Sequence, residues 1–361
     1  MLCDWLPPDF GAVGQYAVQF ARTVAERRAA VTLIGFSSSS DSLGTENVGA
    51  GSLTIRRIRI AQYDRSALLR RSIWTLRANL ALVRAAIKVL RGADEVHFTG
   101  SPPYLIHFIL PVAKLFGVRT RYRITDFHPE CLIAALNRTP LSIRLLQGLT
   151  NFWRRRVDVI EVLGEDQRRR LRSARVRAER IELRRDGSPV KFDGKIAPAA
   201  VPPALAGRKI ILYSGNWGVA HDHATFVEGF ARFCARHPGA AGLWVNATGK
   251  RADIVEAELR ARALPYVRTQ PVALDALAPL LLAADVHLIA LDDRFVGLVL
   301  PSKVYACVAS GRSVLFVGSD ASDVDLICRQ ALPAHQYHRV AVNDPAGVEA
   351  ALCTLLRLPL H

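Results

Sequence analysis

Two loops of the 361-residue chain combine glycine with side chains that suit a phosphate group. The first runs from Tyr213 through Gly215 to Asp222, between an apolar segment and an amphipathic one. Glycine lets the backbone approach a bulky anion, and a helix that follows a strand offers free N–H groups at its beginning. The loop lacks the Gly-Lys-Ser/Thr of nucleoside triphosphatases and the full dinucleotide-binding spacing. It therefore predicts an anion site, with a tight turn capped by Asp222 as the alternative.

The second loop contains Gly297 and ends in Pro301-Ser302-Lys303. Proline fixes the turn, serine is a residue type that caps helices, and the lysine places a cation where a helix already attracts anions. This pattern favours contact with a diphosphate over the alternative of a capping serine beside a solvated lysine.

A third loop, Pro7 to Gly14, carries Gly11 and Ala12 directly before an amphipathic segment. A glycine at such a turn serves helix packing as often as anion binding. By itself this loop does not distinguish anion binding from helix packing.

Short apolar segments alternate with amphipathic ones along the whole chain. This alternation predicts parallel sheets covered by helices, an α/β fold. The predicted strands are 30–36, 95–99, 120–125, 157–163, 209–214, 242–247, 286–291 and 313–317, after a short first strand at 2–6, and the predicted helices lie near 13–27, 66–90, 104–116, 141–155, 165–174, 222–235, 252–263, 273–283, 303–310 and 345–357.

A proline-containing stretch around 185–208 interrupts this rhythm. We expect an N-terminal Rossmann-like domain over 1–190, a linker over 191–204 and a C-terminal Rossmann-like domain over 205–361. Ligands of open α/β sheets bind at the carboxyl ends of the strands, so we expect the two domains to face a common cleft there.

The net charge of +16 is unevenly distributed. Residues 1–200 hold 33 Lys and Arg against 18 Asp and Glu, whereas residues 201–361 hold 15 against 14. The basic half predicts a polyanionic partner, with an Arg-rich solvated surface as the alternative. No 20-residue apolar run predicts a membrane span, the first 30 residues do not resemble a signal peptide, and the six scattered cysteines predict neither a zinc site nor disulfides.

Four segments together resemble the family-4 retaining glycosyltransferases of the GT-B fold, in particular the WbuB-type sugar transferases of bacterial surface-polysaccharide assembly. The resemblance runs nearly from end to end, and all four segments occur in the family's order. They are Pro7-Pro8-Asp9-Phe10-Gly11-Ala12, Thr125-Asp126-Phe127-His128-Pro129-Glu130, Tyr213-Ser214-Gly215-Asn216 with Ala220-His221-Asp222, and Gly297-Leu298-Val299 through Pro301-Ser302-Lys303-Val304-Tyr305 to Ala309-Ser310-Gly311-Arg312.

The resemblance implies transfer of a sugar from a nucleotide-diphosphate donor, with retention of configuration and without a metal or another cofactor, and UDP is favoured over GDP. Such a reaction needs stabilisation of the departing diphosphate, for which Lys303 is the first candidate. The resemblance places the donor against Gly11, Ala12, Gly215, Asn216, His221, Gly297, Leu298, Ser302 and Lys303.

On the acceptor side the candidates are Asp126 and His128 as catalytic groups and Glu130 as a binding group. Asp126 ends an apolar run where the cleft is expected to open; the alternatives are that Asp126 caps the next helix and that Glu130 pairs with an arginine. One departure from the family stands out: Ala306 replaces the glutamate that holds the donor ribose. A degenerate, non-catalytic assembly partner is therefore an alternative function, and a nucleotide-sugar epimerase is another.

Acceptors of such enzymes are commonly lipid-linked saccharides, so we expect an anionic membrane surface as a partner and a peripheral location at the inner face of the plasma membrane, in the cytoplasm. Trp74 and the arginines of the stretch Ser66–Leu90 are candidates for that contact; the competing interpretation makes the apolar side chains of this stretch core. Charge alone also suggests nucleic acid, but no binding motif supports it and we expect none.

Overall fold

The computed structural model describes residues 1–9, 12–27, 29–61, 68–136 and 138–359. The chain forms two compact units, Met1–Arg185 (unit 1) and Asp186–His361 (unit 2).

Unit 1 is built on a sheet that, within the described residues, has eight strands in the order β3-β4-β2-β1-β5-β6-β7-β8. All neighbours pair in parallel except β3, which runs antiparallel to β4 at one edge. The strands are β1 (Leu2–Trp5), β2 (Ala30–Ser37), β3 (Ser42–Val48), β4 (Gly51–Arg59), β5 (Glu95–Thr99), β6 (Arg119–Arg123), β7 (Val159–Val162) and β8 (Ile181–Leu183).

Helices connect these strands: α1 (Ala12–Glu26), α2 (Leu68–Leu90), α3 (Ile106–Leu115), α4 (Glu130–Ala135), α5 (Leu141–Arg154) and α6 (Glu165–Ser173). Helix α1 buries Ala17, Ala21 and Ala25, which are four residues apart and share one face. Small side chains let α1 lie close to the sheet, and a Cβ at Gly14 would meet the Trp5 carbonyl oxygen at 1.8 Å. A glycine is therefore required where α1 crosses β1.

Unit 2 contains a parallel sheet of six strands among the described residues, in the order β11-β10-β9-β12-β13-β14. This is the doubly wound order, in which the chain leaves β9 toward one edge and returns at β12 toward the other. The strands are β9 (Lys209–Ser214), β10 (Ala241–Asn246), β11 (Tyr266–Thr269), β12 (Val286–Ala290), β13 (Ser313–Val317) and β14 (Tyr337–Val340).

The helices of unit 2 are α7 (Ala224–Arg236), α8 (Lys250–Ala261), α9 (Leu274–Leu282), α10 (Lys303–Ala309), α11 (Asp323–Ala331) and α12 (Pro345–Leu356). Three buried phenylalanines of α7, at 226, 230 and 233, join the strand side chains in the main core. Helices α7 and α12 approach closely at Gly229, where a Cβ would lie 2.5 Å from the Val348 Cβ.

The predicted α/β fold class with two parallel-sheet domains is confirmed. The stretch expected to be a linker packs onto unit 2, where Phe192 and Ala199 cover a cluster formed by Leu205, Leu212 and Trp244. The six cysteines are free thiols. Among the described helices, none combines the length and the apolarity needed to cross a bilayer.

Candidate functional site

The loops that follow β9 and β12 meet at the point where the strand order of unit 2 reverses. Nδ1 of His221 lies 2.7 Å from the carbonyl oxygen of Ala290, and the N–H of Asp292 donates to the carbonyl of Ala220 at 2.8 Å. These bonds hold the two loops together. We call residues 214–221 and 290–303 the switch-point site, because ligands of doubly wound sheets bind at such reversals.

Lys303 places a buried ammonium nitrogen in this site. Its Nζ lies 3.3 Å from the centre of the Tyr213 ring, and a Cβ at Gly215 would be 3.7 Å from the same Nζ. Among the described residues, this buried nitrogen has no hydrogen-bond partner. Burial lowers the pKa of Lys303 to about 7. An ammonium group held in this way is poised to receive an anion, since an anion would supply the missing partner.

The aromatic platform under Lys303 is rigid. Tyr213 stacks on Trp217 with 3.8 Å between ring centres, and both side chains are buried. The Tyr213 hydroxyl donates to the carbonyl of Asn216 at 3.1 Å, which fixes the turn that contains Gly215. Gly215 has a φ of +117°, a conformation that favours glycine.

His221 is neutral. Burial, and then the charge of Lys303, lower its pKa to about 3. Because a carbonyl only accepts, Nδ1 carries the proton and donates to Ala290, so Nε2 is left as an acceptor. His221 therefore offers a hydrogen-bond acceptor to a hydroxyl group and does not add a second positive charge.

The other predicted donor residues of unit 2 differ in what they can contribute. The N–H of Gly215 already donates to the carbonyl of Asn246 at 3.0 Å, and Ser302 makes no side-chain cap at the start of α10. Asn216 is exposed, whereas Leu298 is buried and apolar. Gly297 is buried with a φ of +71°.

The remaining predicted donor residues belong to unit 1. Gly11 lies outside the described residues. Ala12 is the first residue of α1.

Arg251 is a second cation that the sequence reasoning missed. It lies in the first turn of α8, after β10, and one of its guanidinium nitrogens is 3.3 Å from Nδ1 of His223. Its charge lowers the pKa of His221, which places it beside the switch-point site. Cations at a helix N-terminus oppose the helix dipole, so the basic pair Lys250-Arg251 after a Gly-containing loop is the signal that was available.

In unit 1, polar side chains gather where β1, β5 and β6 end. The carboxylate of Asp4 accepts a hydrogen bond from the Ser101 hydroxyl, while its Oδ1 is buried without a partner among the described residues. Solvent reaches Asp126, but surrounding protein atoms still desolvate its carboxylate, and together with the charge of Asp4 they raise its pKa to about 6. We call Asp4, Ser101 and Asp126 the acidic edge.

The segment after Asp126 is held from below by Arg154 of α5. This arginine is 1% exposed; it donates to the carbonyl of His128 at 3.0 Å and to Oε2 of Glu130 at 3.1 Å. Burial alone would raise the pKa of Glu130, but Arg154 keeps it below its usual value. Both carboxylate oxygens of Glu130 are thus engaged within the protein, and the half-buried ring of His128 lies 6.1 Å from that of Tyr104.

Ala306 lies in the apolar cluster formed by Leu205, Ile210 and Trp244 and is 5% exposed. The methyl group at this position packs; it does not bind polar groups. Among the described residues, the His, Cys, Asp and Glu side chains form no group of three or more that could hold a metal ion.

Solved structures similar to this chain share its architecture over almost its whole length. The sucrose-phosphate synthase of Thermosynechococcus elongatus aligns with a TM-score of 0.70 and 14% identity over 99% of this chain and 89% of its own. The alpha,alpha-trehalose-phosphate synthase (UDP-forming) of Burkholderia vietnamiensis aligns with a TM-score of 0.68 and 14% identity over 99% and 91%. The chain has the GT-B fold.

A third similar structure is that of Anabaena HepE in complex with UDP-glucose, with a TM-score of 0.62 and 10% identity over 98% of this chain and 88% of that one. No protein-family model matches the sequence, and no curated protein matches it. At these identities the likeness establishes the fold.

Proposed function

We propose that the protein is a glycosyltransferase that takes a sugar from a nucleotide-diphosphate donor bound at the switch-point site. The single observation that carries the proposal is the buried, unpartnered Nζ of Lys303 at the strand reversal of a GT-B fold. A departing diphosphate gains negative charge as the glycosidic bond breaks, and a cation fixed in advance stabilises that charge.

UDP is the favoured nucleotide. The HepE structure contains UDP-glucose, and the Burkholderia vietnamiensis enzyme is described as UDP-forming. The neutral His221, whose Nε2 accepts hydrogen bonds, suits a ribose or sugar hydroxyl next to the phosphates. The four motif segments support the finer assignment: a retaining, metal-independent enzyme of family 4, similar to the WbuB type.

We propose that the acceptor is a saccharide, lipid-linked and destined for a surface polysaccharide, and that it binds at the acidic edge of unit 1. In this proposal Asp126 accepts the proton or hydrogen bond of the acceptor hydroxyl, and His128 acts beside it. The protein would then work peripherally at the inner face of the plasma membrane. The excess of basic residues in unit 1 supports this location.

Two experiments test the proposal. The first is calorimetric titration of the full chain with UDP and with GDP, and the second measures UDP release from UDP-sugars with and without saccharide acceptors. We expect UDP to bind more tightly than GDP, and acceptor-dependent UDP release. Binding without turnover over any donor would favour the non-catalytic alternative, and no binding of either nucleotide would contradict the donor site.

Replacing Arg251 by alanine should weaken UDP binding about 10- to 100-fold, because one charged hydrogen bond contributes about 1.5–3 kcal/mol. Arg260 is the matched control: it lies in the last turn of the same helix and forms an exposed pair with Glu256. The dissociation constant of UDP for Arg260→Ala should equal that of the parent. Equal constants for Arg251→Ala and the parent would remove Arg251 from the site.

The rate of transfer should fall as the pH drops below about 6, since the carboxylate of Asp126, whose pKa is raised to about 6, accepts a proton or hydrogen bond only in its ionised form. In Asp126→Asn the maximal rate should be at least tenfold lower and this acid limb should disappear, while the dissociation constant of UDP stays unchanged. A pH–rate profile of the variant that retains the limb would assign it to another group.

A further inference from the structure

Unit 1 carries most of the large apolar side chains that are exposed among the described residues. Of the sixteen large apolar side chains that are exposed among the described residues, twelve belong to unit 1, and eleven of these lie between Ile73 and Phe152. Single exposed apolar residues are ordinary, but a concentration in one part of a chain marks an interaction surface.

The clearest stripe is on α5. Leu141, Leu145, Leu149 and Phe152 recur every three or four residues and are 72%, 67%, 48% and 39% exposed. This spacing puts them on one face, a line of about 16 Å at 1.5 Å per residue. The opposite face of the helix is held inside by Arg154, so the stripe points outward.

Helix α2 presents a second stripe, formed by Ile73, Leu76 and Leu80, each more than 40% exposed. Helix α3 packs against both α2 and α5, so the three helices form one row. Trp74, in contrast, packs inward: its ring stacks on Trp5 at 6.0 Å and its Nε1 donates to the carbonyl of Ala61. The membrane-facing role predicted for Trp74 thus passes to its apolar neighbours on α2.

The charge of the row formed by α2, α3 and α5 indicates which kind of partner fits it. Helices α2, α3 and α5 contain no aspartate or glutamate, while α2 alone contains five basic residues. Arg144 and the exposed pair Arg155 and Arg156 flank the stripe on α5. A second copy of the chain that docked symmetrically through this row would bring cations against cations. An apolar stripe on helices whose charged residues are all basic matches the headgroup region of an anionic bilayer.

We propose that the exposed faces of α2 and α5 insert into the headgroup region of an anionic lipid bilayer, with Leu141, Leu145, Leu149 and Phe152 as the inserting side chains. The inference extends the proposed function, on which it rests for the lipid-linked acceptor. In a βαβ unit the helix begins at the edge where the preceding strand ends. The stripe residues in the first turns of α5 therefore lie toward the acidic edge, where a lipid-linked acceptor would be used.

The test uses the full chain and sedimentation with vesicles of phosphatidylethanolamine and phosphatidylglycerol at a 7:3 ratio, or of phosphatidylcholine alone. We expect binding to the anionic vesicles that weakens at least tenfold in 0.5 M salt. The double variant Leu145→Glu/Leu149→Glu should lose at least tenfold in binding. The matched control is Ile254→Glu/Leu274→Glu, which makes the same changes at comparably exposed positions of unit 2 and should bind like the parent.

Three results would overturn the inference. The first is equal vesicle binding by the α5 variant and the parent, and the second is a parent that binds duplex DNA but no vesicles at the same salt. The third is a parent that is dimeric in light scattering and an α5 variant that is monomeric. UDP binding by the parent separates the two proposals. UDP binding without vesicle binding would contradict only the bilayer surface, whereas no UDP binding would contradict the donor site.

Discussion

Lys303→Met should lower the rate of sugar transfer by about 100- to 1000-fold, because one preorganised charge at a developing anion contributes about 3–4 kcal/mol in the transition state. The melting temperature should stay the same or rise. The ammonium is buried over Tyr213 without a hydrogen-bond partner, and a methionine of similar length removes a charge that the folded protein gains little from holding. Loss of a functional charge should leave the melting temperature unchanged or raise it, whereas loss of a structural charge should lower it.

The control is Lys209→Met. Lys209 begins β9, the strand that ends beside Lys303, and forms an exposed ion pair with Asp285. Its loss should change neither the rate nor UDP binding. If Lys303→Met retains the parent rate, or if its melting temperature falls by many degrees, Lys303 is part of the framework and the proposed donor site is wrong.

The same lysine should make UDP binding depend on pH. With a pKa of about 7 in the free protein, Lys303 loses its proton as the pH rises above 7, so affinity should fall by up to about tenfold per pH unit. The phosphate of UDP does not mask this, since its last ionisation is near pH 6. Calorimetry in buffers of different ionisation enthalpy should show proton uptake on binding. Lys303→Arg, which stays charged, should abolish the dependence.

Arg154→Ala should reduce the stability of unit 1 by about 3–5 kcal/mol, because it leaves the buried carboxylate of Glu130 without its cation. The thermal transition assigned to unit 1 in scanning calorimetry should fall by roughly 10 °C. Arg154 also donates to the carbonyl of His128 and lies 4.9 Å from the centre of the Phe127 ring. The variant should therefore loosen the whole segment that follows Asp126.

The neighbouring Arg155 is exposed and provides the comparison: Arg155→Ala should stay within about 0.5 kcal/mol of the parent. A double variant, Arg154→Met/Glu130→Leu, should recover much of the lost stability, since it leaves no buried charge. Similar transitions for Arg154→Ala and Arg155→Ala would mean that the ion pair does not hold the segment.

The sequence was most informative where periodicity and local turns decide the structure. The alternation of apolar and amphipathic segments predicted the parallel sheets, and Gly215 and Lys303, which are 88 positions apart, do lie together. Strand β3 was missed because it is exposed along almost its whole length and shows no apolar alternation. Its antiparallel partner β4 was missed as well. The short strands β8, β11 and β14 and the helices α4 and α11 were also missed.

What the sequence could not supply are pairings between distant residues. The sequence allowed two roles for Glu130, binding of the acceptor and pairing with an arginine. Nothing in the neighbouring residues indicates that its partner is Arg154, which is 24 positions away. Asp4 was missed as a site residue because its neighbours Ser101 and Asp126 follow two other strands, β5 and β6. Ser302 has the type of a capping residue, but the helical conformation of its backbone prevents the usual cap.

The six free thiols have a practical consequence for work on this protein. Burial raises the pKa of each one above its ordinary value, including Cys307, one turn beyond Lys303, where it reaches about 12. The thiolate is the form that reacts with alkylating agents and oxidants, so the native cysteines are slow to react. A single new thiol, made by Leu145→Cys, would then take a fluorescent label ahead of the other six, and the colour of its emission would report how deeply α5 enters a bilayer.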